Sequence, residues 1–263
     1  CSSDLDVIRT SKFQWTSDFN IGFNRNRVTE LYGGKPELKG LKRLEEGRDM
    51  DEWYLREWAG VDPANGSPLW YTTDENGKRT TTDSYNKADR VYCGSAAPKF
   101  TGGWMNSFSY KGFTLTANFD FVYGNLLYNQ SRELLDSDGA YADYNSMKLK
   151  SGWKRWEKEG DIATHPKAIN GGNKNSNKSS SRYLEKGNYF SLRNLSLGYS
   201  IPEKLCGKLG LQRVNVSCSA DNLFTLTPFS GVSPQLSDSS TDGYAGTIYP
   251  LSRRIVFGLN VSF

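Results

Sequence analysis

Over the closing stretch "RRIVFGLNVSF" apolar and polar residues alternate: Ile255, Phe257, Leu259, Val261 and Phe263 take one face, and Arg254, Gly258, Asn260 and Ser262 take the other. Only Val256 breaks the pattern. A period of two marks a β-strand with one apolar face. Five further segments repeat it. "FTLTANFDFVYGN" is the cleanest, with Phe113, Leu115, Ala117, Phe119, Phe121 and Tyr123 opposite Thr114, Thr116, Asn118 and Asp120. "FQWTSDFNIGF", "KFTGGWMNSFSY", "YFSLRNLSLGYSI" and "VNVSCSADNLF" follow the same rule. Strands are therefore predicted over residues 13–23, 100–110, 113–123, 189–201, 213–224 and 253–263. Each runs to about ten residues or more, the length that crosses a bilayer when tilted. A soluble sandwich has the same period. The polar strand faces carry Asn118, Asp120, Asn194, Asn215 and Asp221.

The connections separate these two architectures. A tight Lys111-Gly112 turn and the short "PEKLCGKLGLQ" alternate strictly with long links over residues 24–97, 125–188 and 225–253. Short periplasmic turns and long outer loops are the habit of an outer-membrane barrel; a sandwich gives no reason for the alternation. Phe13, Trp15, Tyr110, Phe113, Tyr123, Tyr128, Tyr189 and Tyr199 stand at or just beyond strand ends, where aromatic rings sit at headgroup level. Within the long links, Asp62-Pro63-Ala64-Asn65-Gly66 and Glu75-Asn76-Gly77 predict short hairpins. "SMKLKSGWKRWEKEG" has the pattern of a short amphipathic helix, and "NGGNKNSNKSSS", with no apolar anchor, reads as a mobile loop tip.

Composition adds exclusions. Aromatic residues make up 13% of the 263 residues and glycines number 26, a mixture of strands and turns. The formal charge of +4 is spread among acids, which gives no support to nucleic-acid binding. Four cysteines without CxxC spacing and a single histidine, His165, supply neither a zinc site nor a histidine triad. His165 lies in a polar loop and is read as solvated, as are Glu45-Glu46 and Asp49-Asp51 in their mixed-charge run. Nothing in the chain makes an enzyme, and no cofactor motif is present. Asp238 and Asp242 are loop acids, with too few further oxygens at defined spacing for calcium. No stretch of about 18 apolar residues occurs, so a transmembrane helix is excluded and a membrane barrel is not. "CSSDLD" at Cys1 has the form of a mature bacterial lipoprotein start or of a fragment boundary.

The blocks "WAGVDPANGSPLWY", "PKFTGGWMNSFSYKGFTLTANFDFVYGNLLYN", "YFSLRNLSLGYSIP", "SADNLFTLTPFSGVSP" and "YPLSRRIVFGLNVSF" resemble, in order, the C-terminal barrel of SusC/RagA-type TonB-dependent transporters of Bacteroidetes, and touch most of the chain from residue 13 onward. The resemblance implies an all-β, antiparallel transmembrane β-barrel segment. Residues 1–263 would be C-terminal strands of a barrel of about 22 strands. The plug and N-terminal strands lie outside the sequence, and "CSSDLDVIRTSKF" would be the end of the preceding strand with its turn.

The implied function is import of large nutrients, oligosaccharides or peptides, across the outer membrane. The implied partners are the N-terminal plug and barrel portion, TonB acting through that portion, a SusD-like lipoprotein as lid, and outer-membrane lipid. Phe257, Leu259, Val261 and Phe263 would be the barrel-assembly signal. Asn118, Asp120, Asn194, Asn215 and Asp221 would face the lumen. The loop aromatics Trp53, Trp58, Trp70, Trp153, Trp156, Tyr244 and Tyr249 would meet substrate or lid, or pack the loops, packing being the favoured role. The alternative is a surface-anchored carbohydrate-binding β-sandwich tethered through Cys1, whose apolar strand faces would meet each other.

Overall fold

A computed structural model of the chain describes residues 2–141, 143–235, 243–246 and 249–263. Strands β1 (Ser2–Arg9) and β2 (Phe13–Gly22) form a hairpin. The link that follows carries β3 (Glu37–Lys39), β4 (Lys42–Leu44), β5 (Glu52–Arg56), β6 (Trp58–Val61), β7 (Pro68–Thr73), β8 (Arg79–Thr82) and β9 (Arg90–Ser95). Next come β10 (Phe100–Tyr110), β11 (Phe113–Tyr123), β12 (Leu126–Asn129) and the short helix α1 (Ser131–Leu135). The chain continues through β13 (Leu184–Lys186), β14 (Tyr189–Ser200), α2 (Glu203–Lys208), β15 (Arg213–Leu226), β16 (Tyr244–Ala245) and β17 (Arg254–Ser262).

Among the described residues, seven long strands form one antiparallel sheet in the order β1-β2-β10-β11-β14-β15-β17. All six predicted strands are present within two residues of their expected ends, and the segment before residue 13 is an eight-residue strand. Register carries the two faces across the sheet. Trp15, Phe108, Leu115, Leu197, Cys218 and Phe257 form one cross-strand row, while Asp18, Met105, Asn118, Asn194, Asp221 and Arg254 form another on the opposite face.

The apolar face is bounded by rings at both ends. Phe13, Tyr110, Phe113 and Tyr199 align at the short-turn end, and Phe23, Phe100 and Tyr123 meet at the other, with centroids 5.9 and 5.1 Å apart. The run from Phe113 to Tyr123 spans about 33 Å along the strand at ~3.3 Å per residue. A tilt of about 40–45° projects this to ~25 Å, the height of a barrel's apolar band. No second sheet covers this face among the described residues: Phe257 is 80% exposed and Leu259 69%. That removes the packing on which the sandwich alternative depends.

Between the rings, stray polar groups on the apolar face are answered locally. The Trp15 indole donates to Asn106 Oδ1 at 3.1 Å and the Trp104 indole to Ser17 Oγ at 2.9 Å. The Lys111-Gly112 turn has positive φ at both residues, 47° and 88°, the two-residue hairpin geometry that matches strand twist. A Cβ on Gly112 would come within 2.8 Å of the Ser200 carbonyl oxygen.

The buried hydrophobic core lies in the loops. Trp53, Leu55, Ala96, Tyr128 and Tyr183 form one cluster and Leu127, Phe229 and Ala245 a second. Three small sheets frame them, β3-β4-β5-β9, β6-β7-β8 and β13-β12-β16. The predicted hairpins appear as β6-β7 and β7-β8; Asp62 Oδ1 accepts the Ala64 N–H and Asp74 Oδ1 the Asn76 N–H to close their turns.

Four expectations need correction. Residues 146–160 form no helix, because Gly152 turns the chain at φ 84° and the backbone of Lys154 and Trp156 bonds instead to Thr164 and His165. Residues 170–181 are not a mobile tip: Asn173, Ser176 and Ser180 are buried, and the side chains of Asn173 and Ser176 are held by hydrogen bonds. Tyr128 is a core residue of the loops, and Tyr189 lies on the polar face, where its hydroxyl donates to Asp120 at 3.1 Å. The acids of the mixed-charge run are engaged: Lys42 Nζ reaches Asp51 at 2.9 Å, Ser95 Oγ donates to Asp49 at 2.8 Å, and the Tyr92 hydroxyl donates to Glu45. Cys1, Asp238 and Asp242 lie outside the described residues.

Candidate functional site

The polar face of the sheet brings together the residues that alternation placed there. Asn194 Nδ2 donates to Asp221 Oδ1 at 2.7 Å, and the Arg254 guanidinium grips Asp221 Oδ2 through Nε and Nη2 at 2.9 and 2.7 Å. Asp120 accepts from Tyr189 and, at 3.3 Å, from Arg193. Asn118 sits opposite Asn194 in the same row, and Asn215 opposite Ser200 and Asn260 at the short-turn end. Strand alternation alone does not find Arg193. Against β11 it is the extra residue of a bulge between Leu192 and Asn194, which swings its side chain onto the polar face. Asn222, in the matching irregularity of β15, adopts φ 53° and accepts from Arg193 at 3.4 Å. The face therefore presents carboxylates already spanned by guanidinium groups, with amides and hydroxyls between them.

The loops form a second site, one that reading the chain as polar and solvated missed. His165 is 1% exposed, so the expectation of a solvated histidine is overturned. Its Nε2 lies 3.1 Å from Asp136 Oδ2, an oxygen that also accepts from Arg132 at 2.8 Å. Arg182 spans Asp136 and Asp138; Arg155 Nη1 and Ser176 Oγ bond Asp138, each at 2.6 Å. Burial by itself would raise the Asp136 carboxyl. The hydrogen bond from His165 and the charges of Arg182, His165 and Arg132 outweigh it and hold the group down to about 2. Thr164 Oγ1 stands 2.8 Å from His165 Nδ1, but that hydroxyl is already bonded to the Lys154 N–H and carbonyl, and the histidine is sealed below it. The set is a buried ionic lock, with no open nucleophile.

Trp53 and Trp70 have no exposed surface and so offer no ring face to a ligand. Trp53 packs edge-on against Tyr244 at 5.1 Å and donates to the Leu126 carbonyl; Trp70 sits between Trp58 and Tyr85. Trp156 is buried and donates to the Pro63 carbonyl. Trp58 lies under Arg182 and Trp153 under Arg132, 5.0 and 4.4 Å from ring centre to guanidinium carbon. Tyr244 is half-buried, its hydroxyl accepting from the Leu41 N–H. Tyr249 alone of the seven is fully open, at 87%. Phe257, Leu259 and Val261 share the uncovered face of the sheet, and Phe263, just past the end of β17, is exposed.

No family model matches the chain. "TonB-dependent receptor P39" of Formosa agariphila is 28% identical over 97% of this chain, and "TonB-dependent receptor P3" of the same organism is also 28% identical over 97%. The structure of the RagAB peptide transporter superposes over the full chain with a TM-score of 0.84 at 26% identity. This chain is similar to TonB-dependent receptors over nearly all of its length. The fold is shared as well with the RagAB peptide importer in its "closed-closed" state, at a TM-score of 0.81 and 24% identity. The chain spans 29% and 27% of the lengths of the two receptors and 28% of the RagAB chain. Its SusC/RagA-type barrel character, read from the sequence blocks, therefore stands as a segment's likeness to a larger protein.

Proposed function

We propose that this chain is C-terminal barrel wall and outer loops of an outer-membrane TonB-dependent transporter that imports large nutrients, oligosaccharides or peptides, together with a SusD-like lipoprotein. One observation carries the reading. A sheet with an uncovered apolar face, banded by rings about 25 Å apart, carries amides and ion pairs on its other face, in a chain that over its own full length matches part of the RagAB peptide transporter. Lipid satisfies the first face and a water-filled lumen the second. An open sheet leaves unpaired strand edges, which further strands of the same transporter would close. The plug and the TonB contact belong to that remaining portion.

The name of the RagAB neighbour supports peptides within the substrate class, and paired carboxylates and guanidinium groups along the polar face suit a zwitterionic cargo. Asn118, Asp120, Asn194, Asn215 and Asp221 are assigned to the lumen wall, the uncovered Phe257, Leu259, Val261 and Phe263 to recognition during barrel assembly, and Tyr249 to contact with substrate or lid. The test uses the full-length protein in its source cells. Recovery from the outer membrane only with detergent, with uptake of labelled oligopeptides or oligosaccharides that stops when the proton gradient is collapsed, is the expected result. Recovery in the soluble fraction would overturn the reading.

A further inference from the structure

We propose that the loop-end rim of the apolar face holds a binding site for the phosphate-bearing head of an acylated membrane lipid, with Arg25, Arg27 and Lys99 as its cations. The inference rests on the membrane orientation proposed above. A cavity of about 530 Å³ opens where β2 meets the loops, lined by Phe23, Arg25, Asp49, Lys99 and Leu126. A polar cleft of about 350 Å³ continues from it past Arg25, Arg27 and Arg48. Just beyond the Phe100-Tyr123 pair, a third hollow of about 530 Å³ is lined by Phe121, Phe190, Leu226 and Pro228, nearly all apolar. A small hollow of about 160 Å³ joins them, sharing Phe23 and Pro98 with the cationic cavity and Phe100 with the apolar one.

The cations here differ from the paired arginines of the loops and the polar face. Arg43, Arg48, Arg79, Arg132, Arg155, Arg182, Arg193 and Arg254 each have a carboxylate partner. Arg25, Arg27 and Lys99 are exposed and have no hydrogen-bond or ion-pair partner in the described chain. Arg48 is spent on Glu52 and lies over the Tyr92 ring, and both carboxylate oxygens of Asp49 are taken by the Asp51 N–H and Ser95 Oγ. Three unspent cations therefore stand at the level where the outer aromatic ring meets headgroups, above Phe23, which is 70% exposed on the lipid side. A soluble anion would use the cations and leave the adjoining apolar hollow empty. An acylated phosphate-bearing lipid fills both.

The experiment takes the full-length protein from its own outer membrane in mild detergent and scores sedimentation with the membrane first. Delipidated protein is then titrated with diphosphorylated lipid A and followed by native mass spectrometry, for wild type and for the triple variant Arg25→Gln, Arg27→Gln, Lys99→Gln. A control variant, Arg254→Gln on the polar face, carries the same kind of change away from the rim. Each cation near a membrane surface contributes about a five-fold factor, so the triple variant is expected to bind about 100-fold more weakly while the control binds as wild type. Membrane-embedded protein whose lipid binding is unchanged in the triple variant overturns this site alone. Displacement of the lipid by equimolar inorganic phosphate overturns it as well, in favour of a free-anion site. Protein absent from the membrane overturns the orientation beneath it.

Discussion

Replacing Arg182 with Met should loosen the long loops and leave the sheet intact. The guanidinium is buried and makes four bonds: Nη1 to Asp138 Oδ2 and to the Ser176 carbonyl at 3.0 Å, and Nη2 to Asp136 Oδ1 and Asp138 Oδ1, both at 3.1 Å. Met fills most of the volume and returns none of these. Breaking one side of a buried ion cluster costs about 3–5 kcal/mol. Asp136 keeps Arg132 and His165, and Asp138 keeps Arg155, so the low end, about 3 kcal/mol, is expected here. That corresponds to amide exchange in the loop faster by about 100-fold. The assay is hydrogen exchange on the full-length protein, read in peptides covering residues 173–183 and 58–67, which are tied by the bond from the Trp58 N–H to Ser181 Oγ. Peptides covering Phe113–Tyr123 should not change. Protection within about threefold of wild type in both loop peptides, or an equal loss in the wall, would refute the idea of a lock local to the loops.

Three other outcomes follow from the same geometry. Because the folded Asp136 carboxyl sits near 2, below its ordinary 3.8, its contribution of about 2 kcal/mol is complete above pH ~4 and is lost as pH falls through the folded value, so loop proteolysis should rise between pH 4 and 2. Phe119→Lys, at mid-height on the apolar face, should lower folding stability in lipid by about 2–4 kcal/mol and Asn118→Lys, its neighbour on the other face, by under about 1 kcal/mol; equal effects in urea titrations would undo the assignment of faces. Gly112→Val puts a β-branched residue at φ 88° against the Ser200 carbonyl and should cost about 2 kcal/mol, read as a lower temperature for loss of the heat-modifiable band, whereas Lys111→Asn should be neutral.

The wall was legible because strand alternation is imposed by geometry: Phe113 and Asn118 cannot share a face of one regular strand, whatever surrounds it. Arg193 and Asn222 escaped because a bulge shifts that parity by one residue, and nothing in their types announces it. The loops were misread for a different reason. Residues 170–181 contain no apolar anchor, and polarity was equated with solvation, yet Ser176 and Asn173 are held by Asp138 and backbone carbonyls from residues far away in the chain. His165 was lost to the same assumption, since its partner Asp136 is 29 residues distant. Burial of polar groups depends on partners that a local window does not contain.

The three long connections are tied to one another across great lengths of chain. The Trp58 N–H meets Ser181 Oγ over 123 residues, and the Leu41 N–H meets the Tyr244 hydroxyl over 203. The β10-β11 hairpin, by contrast, closes over a two-residue turn. Contacts of such different sequence separation form at different times, because closing long loops waits on the chain between them. The hairpins of the wall are therefore early events in assembly, and the outer cap is a late one, completed only after the segment bearing Tyr244 has arrived. A maturing molecule passes through a stage with strands paired and cap open, and substitutions in the cap should act on the last step of biogenesis rather than on the first.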